Sequence, residues 1–282
     1  MTNKANQDWV DVRIDPFSQI ETIRAHFTGH AYDPHFHDAY LIGVTEQGIQ
    51  QFHCDRKKYH SLVGDTFFLE PGAIHDGHAP QEGGFTYKML YLPPKWLEGE
   101  LMKMSFSLPS LYELKFHSTL SHDLRLSEHI HNAFYAFHQQ ETKITQETAL
   151  TNLLSELLQT ENWVVEIASP TPMQAKRARD FIHEFAHTDI GLDDMASSIE
   201  TDRFRLNRLF KQEYGLSPHA YLVQLRLSSA RKQIAQGTPI SEAATNWGFA
   251  DQSHLGRWFK RAYRLSPAAY QRSCTNIPDS HS

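Results

Sequence analysis

Cysteine is nearly absent. Only Cys54 and Cys274 occur in 282 residues, and they fall in different halves of the chain. A disulfide framework is therefore excluded, and a reducing compartment, the cytoplasm, is the expected location. Long apolar runs are also missing. None approaches the roughly 18 residues that a membrane span requires, and the opening Met1-Thr2-Asn3-Lys4-Ala5-Asn6-Gln7-Asp8 has no signal-peptide core. No membrane partner is expected. Charge of one sign does not dominate, with 27 Lys and Arg against 33 Asp and Glu, a net −6. It is unevenly spread, however. From Pro172 onward there are 15 basic and 11 acidic residues, net +4; before it there are 12 and 22, net −10. About two domains are expected at this length, and a mildly basic one attached to an acidic one suits a nucleic-acid binder carrying a separate sensor.

What is present is a repeat. Shifted by 49 positions, Leu206-Asn207-Arg208-Leu209-Phe210-Lys211 lands on Leu255-Gly256-Arg257-Trp258-Phe259-Lys260. Tyr214-Gly215-Leu216-Ser217-Pro218 likewise lands on Tyr263-Arg264-Leu265-Ser266-Pro267, and ten of the sixteen positions from 206 to 221 keep their residue type. On a helix, Leu206, Leu209 and Phe210 share one side, while Phe204, Asn207, Arg208 and Lys211 share the other. The second copy sets Leu255, Trp258 and Phe259 against Ser253, Gly256, Arg257 and Lys260. A short helical stretch precedes each copy, with Ala196 or Ala244 allowing close helix packing, and Asp202 and Asp251 sit where the second helix begins. An apolar back and an arginine-bearing front are the grammar of a helix-turn-helix, written twice.

The stretch from about 174 to 272 resembles the DNA-binding domain of the AraC/XylS family of bacterial transcription regulators. The resemblance is carried by Trp247-Gly248-Phe249-Ala250-Asp251-Gln252-Ser253-His254-Leu255 and by its continuation through Tyr270. Two residues depart from the family pattern. Arg264 stands where the family has a helix-ending glycine and is expected to adopt a positive φ. Gly256 replaces a side chain on the second recognition helix, so the first module is expected to carry more of the sequence specificity.

Residues 1 to about 95 alternate short apolar runs, such as Tyr40-Leu41-Ile42-Gly43-Val44 and Phe85-Thr86-Tyr87-Lys88-Met89-Leu90, with glycine-rich turns, the pattern of a small antiparallel barrel. From 122 to 160 the period becomes helical. Leu150, Leu153, Leu154, Leu157 and Leu158 form a stripe that either packs on the barrel or pairs with another subunit. Residues 161–172, ending Ser169-Pro170-Thr171-Pro172, read as a linker. The fold class is thus α+β: a β-barrel, whose resemblance to the cupin barrel rests on the histidine motifs given below, with trailing helices over 1–160, then an all-α domain over 173–275 whose two helix-turn-helix motifs are joined by a helix from Pro218 to Gln236. Those roughly 19 residues span about 28 Å, against about 34 Å between successive major-groove entries on one face of DNA.

Pro34-His35-Phe36-His37-Asp38, Gly64-Asp65 and Pro71-Gly72-Ala73-Ile74-His75 resemble the two motifs of the cupin barrel. His35 and His37 lie two apart and face one side of a strand, and His75 can join them. A competing reading is a metal-dependent cupin enzyme with an appended DNA-binding module, since three imidazoles suit zinc or iron. The glutamate that pattern carries after the second histidine is replaced by Leu41, Ile42 and Gly43. The expectation is a non-enzymatic protein with no metal or other cofactor. The barrel also resembles the effector-binding domain of the AraC family, and that resemblance implies that His35, His37, Asp38, Tyr40 and His75 frame a small-molecule effector site, with the histidines as hydrogen-bonding groups.

The expected DNA-reading residues are Arg203, Phe204, Asn207 and Arg208 from the first module and Gln252, Ser253, His254 and Arg257 from the second. Arginine suits guanine, Asn and Gln suit adenine, and Phe204 suits a thymine methyl. Lys211, Lys260 and Arg261 are placed for phosphates. The resemblance implies double-stranded promoter or operator DNA, a small-molecule effector, a homodimer and RNA polymerase as partners, in a regulator that either activates or represses.

Overall fold

Glycine-bounded β-branched and aromatic runs become strands in the first part of the chain. The computed structural model describes residues 7–104, 113–160, 163–166 and 173–275, divided into two units, residues 1–168 and 169–282. The first contains β1 (Trp9–Ile14), β2 (Glu21–Phe27), β3 (His30–His35), β4 (Tyr40–Gly48), β5 (Gln50–Cys54), β6 (Lys57–Ser61), β7 (Thr66–Leu69), β8 (His75–His78) and β9 (Phe85–Leu92). These are followed by α1 (Pro94–Lys103), β10 (Glu113–Phe116), β11 (Leu120–Ser121), α2 (Leu124–His138), α3 (Lys143–Gln159) and β12 (Trp163–Glu166). One antiparallel sheet runs β1-β2-β9-β4-β7-β11, and a second runs β3-β8-β5-β6. Ring contacts from Phe27 to Tyr32 (4.9 Å) and from Phe52 to Phe67 (5.9 Å) join the two sheets face to face.

Every residue of β9 is buried because both of its faces are covered. Strand pleating divides the residues between those faces. Tyr40, Ile42, Val44, Leu90 and Leu92 share a core with Leu97, Leu101, Leu126, Ile130 and Phe134 of the helices. Their sequence neighbours alternate to the inner side, where Phe67 lies so close over Gly43 that a Cβ there would collide with its ring. Lys88 is fully buried on the helix side, where Glu46 (2.7 Å), His131 Nδ1 (3.0 Å) and the face of Tyr135 (4.2 Å) surround its ammonium group.

One open alternative is decided here and one expectation changes. Leu150, Leu153, Leu154 and Leu157 are buried against α2 and the sheet, so the stripe covers this chain's own barrel and is not available to another subunit. The expected linker is also shorter than 161–172. Trp163–Glu166 is a strand paired antiparallel with Glu113–Phe116, and Trp163 joins the helix-side core. The remainder of that linker, 161–162 and 167–172, lies outside the described residues.

The second unit is helical: α4 (Met173–Phe185), α5 (Leu192–Ser198), α6 (Arg203–Tyr214), α7 (Pro218–Ala235), α8 (Ile240–Asn246), α9 (Gln252–Tyr263) and α10 (Pro267–Thr275). Ala178, Ile182, Met195, Ala196, Leu206, Phe210, Leu222 and Leu225 form the first module's core. Helix α7 begins with proline at its first turn and a Ser217 hydroxyl accepting from Ala220 N at 3.2 Å. Its 18 residues span about 27 Å.

Candidate DNA interface and effector site

Helices α6 and α9 begin and end alike. The Asp202 carboxylate accepts from Phe204 N (2.9 Å) and Arg205 N (2.8 Å), bonds that hold its pKa below the ordinary range. The Asp251 carboxylate accepts from His254 N at 2.7 Å. Gly215 ends α6 in the left-handed region with φ 72°, and Arg264 ends α9 with φ 58°. The second end therefore takes a side chain in a conformation that glycine adopts at less cost. Leu206 and Phe210 anchor α6, and Leu255 and Phe259 anchor α9, all fully buried.

The opposite faces stay in solvent. Arg203, Phe204, Asn207, Arg208 and Lys211 are exposed on α6, and Gln252, Ser253, Arg257, Lys260 and Arg261 on α9. Phe204 is 75% exposed, too open for a core role, and the Arg203 guanidinium lies 5.2 Å over its ring. His254 does not join this front. The indole N–H of Trp258 donates to its Nε2 at 3.0 Å, and its ring packs edge-on against Phe249. The imidazole is thus turned back onto its own helix. Gly256 leaves open space where a Cβ would stand.

Arg226, on α7, escaped the sequence reading. Its Nε donates to Ala186 O (2.7 Å), one terminal nitrogen to Thr188 O (2.6 Å) and the other to Gly248 O (3.2 Å). The first two carbonyls belong to module one and the third to the turn of module two, so a single planar fork fastens both to the joining helix. Gly248 has φ 67°, and a Cβ there would press on the guanidinium at 2.9 Å. Its contacts lie 22 to 40 residues away in sequence, beyond any local pattern.

In the barrel, His35 closes β3, His75 opens β8, and the two are register partners. With His37 they bring one ligand atom each to within 4.8 Å of one another, all three rings buried. The His35 and His75 ring centroids are 4.4 Å apart, and Tyr91 stands edge-on to His37 at 5.0 Å. His35 Nδ1 lies 2.7 Å from Asp33 O, and His75 Nδ1 lies 2.9 Å from Ala73 O. Burial, with the neighbouring His35, lowers the His75 pKa to about 3, so its ring is neutral near pH 7. Cys54, the register partner of His75 on β5, is buried, and desolvation raises its thiol to about 12.

Asp38 is exposed beside this cluster in sequence. Tyr40 is not brought to it. Pleat parity sends Tyr40 to the helix side of β4, where its hydroxyl donates to Leu114 O at 2.9 Å among Phe116 and Trp163. Tyr32 takes a place that the sequence reading missed. Its ring lies 5.4 Å from that of His35, and its hydroxyl is 2.9 Å from that of Tyr87.

Among known proteins, residues 17–158 match the family model of the AraC-like ligand binding domain, and residues 195–273 match a helix-turn-helix domain model. An uncharacterized HTH-type transcriptional regulator, YbfI of Bacillus subtilis, is 26% identical over 248 residues, covering 86% of this chain and 88% of its own. The arabinose operon regulatory protein of Escherichia coli is 24% identical over 223 residues, 77% of this chain and 74% of its own. The crystal structure of unsaturated fatty acid bound ToxT from Vibrio cholerae superposes with a TM-score of 0.54 at 15% identity, covering 98% of this chain and 99% of that one, a likeness of fold. No helix among the described residues is long and apolar enough to cross a membrane. Because the ligand-binding model alone spans half of the chain and a helix-turn-helix match follows it, the chain belongs to the AraC family: an effector-controlled, DNA-binding transcription regulator.

Proposed function

We propose that this regulator reads one operator with both of its modules, as a cytoplasmic homodimer without catalytic activity. The observation that carries the reading is the pair of capped helices bearing Arg208 and Arg257 at equivalent exposed positions, joined by an 18-residue helix. Arg203, Phe204, Asn207, Arg208, Gln252, Ser253 and Arg257 contact base edges, and Lys211, Lys260 and Arg261 contact phosphates. His254 supports the second helix. The helix length falls slightly short of a groove repeat, so simultaneous engagement bends the DNA modestly. RNA polymerase is the downstream partner. Dimerisation uses a surface other than the leucine stripe, which the barrel already occupies.

The barrel holds the effector around His35, His37 and His75, with Asp38 at the rim. To regulate, the effector must bind unequally to the DNA-competent and incompetent states. Arg208→Ala or Arg257→Ala is expected to lose about 1–3 kcal/mol of operator affinity and to relax preference at one base position. Lys260→Ala is expected to weaken all sequences evenly and reduce the salt slope by about 1. Titration of labelled operator across a salt series distinguishes these, and wild-type affinity in Arg208→Ala would remove the assignment of that face.

A further inference from the structure

The barrel histidines are arranged as ligands, a use that the sequence reading set aside in favour of plain hydrogen bonding. A carbonyl oxygen only accepts, so Asp33 O and Ala73 O place the protons of His35 and His75 on Nδ1. In the neutral ring the lone pair then belongs to Nε2. Backbone carbonyls holding the far N–H of an imidazole are the usual outer support of a metal-bound histidine, fixing tautomer and ring orientation. His37 completes a buried set of three whose ligand atoms lie within 4.8 Å of one another. Nitrogens at about 2.0–2.1 Å from a tetrahedral zinc stand roughly 3.4 Å apart, so each needs to move inward by at most about 0.8 Å. That displacement is within the reach of side-chain torsions.

The composition of the set also constrains what else binds. It contains three imidazoles and no carboxylate, so a bound divalent ion keeps its full charge. Three protein ligands leave a fourth tetrahedral position open, and the uncompensated charge favours an anionic oxygen there. The wall beside the histidines is aromatic, formed by Tyr32 at His35 and Tyr91 at His37. We propose that His35, His37 and His75 bind one divalent transition metal of the zinc class, and that the effector is a small organic acid coordinating it through a carboxylate oxygen. The second half of this statement rests on the barrel being the effector site; the first does not.

The test uses untagged full-length protein stripped with a chelator. Zinc is titrated calorimetrically, and cobalt serves as a spectroscopic probe through the visible absorption of a tetrahedral nitrogen site. One equivalent of metal is expected, with affinity falling in His37→Ala and His75→Ala by more than the roughly 10–100-fold that loss of an outer support costs. His75→Gln guards against a folding defect, and His53→Ala, an exposed histidine paired with Asp76, is expected to leave binding unchanged. Substoichiometric metal, or equal binding by a folded His75→Gln protein, would overturn the metal site. A thermal-shift screen of carboxylic acids is then run on metal-free and zinc-loaded protein. Stabilisation confined to the loaded form supports the coordination step. Equal stabilisation of both forms overturns that step and keeps the effector site. Stoichiometric zinc with no acid response and no effect on operator binding overturns the effector reading alone.

Discussion

Replacing Arg226 by alanine removes three hydrogen bonds from a charged, half-buried donor, at 2.7, 2.6 and 3.2 Å to Ala186, Thr188 and Gly248. A hydrogen bond to a charged group contributes about 1.5–3 kcal/mol when buried. The site is partly solvated and water can reoccupy the carbonyls, so the expected loss is about 2–4 kcal/mol rather than three full bonds. Lysine should recover little, because one ammonium group cannot span three carbonyls set in a fork. The functional effect should exceed what global stability predicts. With the turn at Gly248 released, the second module keeps only its other ties to α7, such as Arg231 over Tyr263 and Tyr270, its orientation to the first module loosens, and the gain in effective concentration from joining the modules shrinks. Chemical denaturation of Arg226→Ala and Arg226→Lys, alongside affinity for a full operator and for a single half-site, checks both parts. Half-site affinity should stay near wild type while full-site affinity falls at least tenfold. A denaturation midpoint matching wild type, with unchanged full-site affinity, would refute the clamp.

Three further outcomes follow from the same geometry. Gly256→Ala meets nothing at its new Cβ and should stabilise the second unit by up to about 1 kcal/mol in a thermal melt, through helix propensity. Leu154→Glu, placing a charge in the helix-side core where Leu154 is 2% exposed, should destabilise by about 3–5 kcal/mol, read as loss of folded protein rather than as a folded monomer. His75 has a folded pKa lowered to about 3 from 6.5, so the unfolded chain binds the extra proton first. In chelator-stripped protein, stability should therefore be complete above about pH 6.5 and decline on acidification towards pH 3, by at most about 1.4 kcal/mol per pH unit for this group. His75→Gln should flatten that part of the profile in pH-resolved denaturation.

The helix-turn-helix pair was legible because its information is local and written twice. Cap, apolar anchor, exposed arginine and chain reversal all lie within about 16 residues, and the helices start where Asp202 and Asp251 indicate. The barrel's strands were legible from their glycine punctuation, and the positive φ of Arg264 from the helix-ending glycine that the family resemblance places there. Long-range placement was less accessible. The leucine stripe announced a buried face but not what buries it. Trp163–Glu166 pairs with residues 47 to 53 positions earlier, and Arg226 reaches across both modules. Tyr40 was misplaced for a simpler reason. Its position has the opposite pleat parity from the odd-numbered Leu41, Gly43 and Thr45, which face inward, so proximity in sequence to His37 put it on the wrong side. His254 was counted among base readers because its turn of helix faces outward, yet Trp258, four residues on, captures the ring.

Selection of bound sequences from randomised duplex DNA by the full-length protein reveals whether both recognition helices read one operator. Two short conserved elements centred about 10–10.5 base pairs apart, on one face of the helix, are expected from the spacing of the two recognition helices. The same selection with Arg208→Ala should relax preference at one base position within one element, and with Arg257→Ala at one position within the other. Enrichment of a single element that neither substitution alters, or no enrichment at all, would contradict the account.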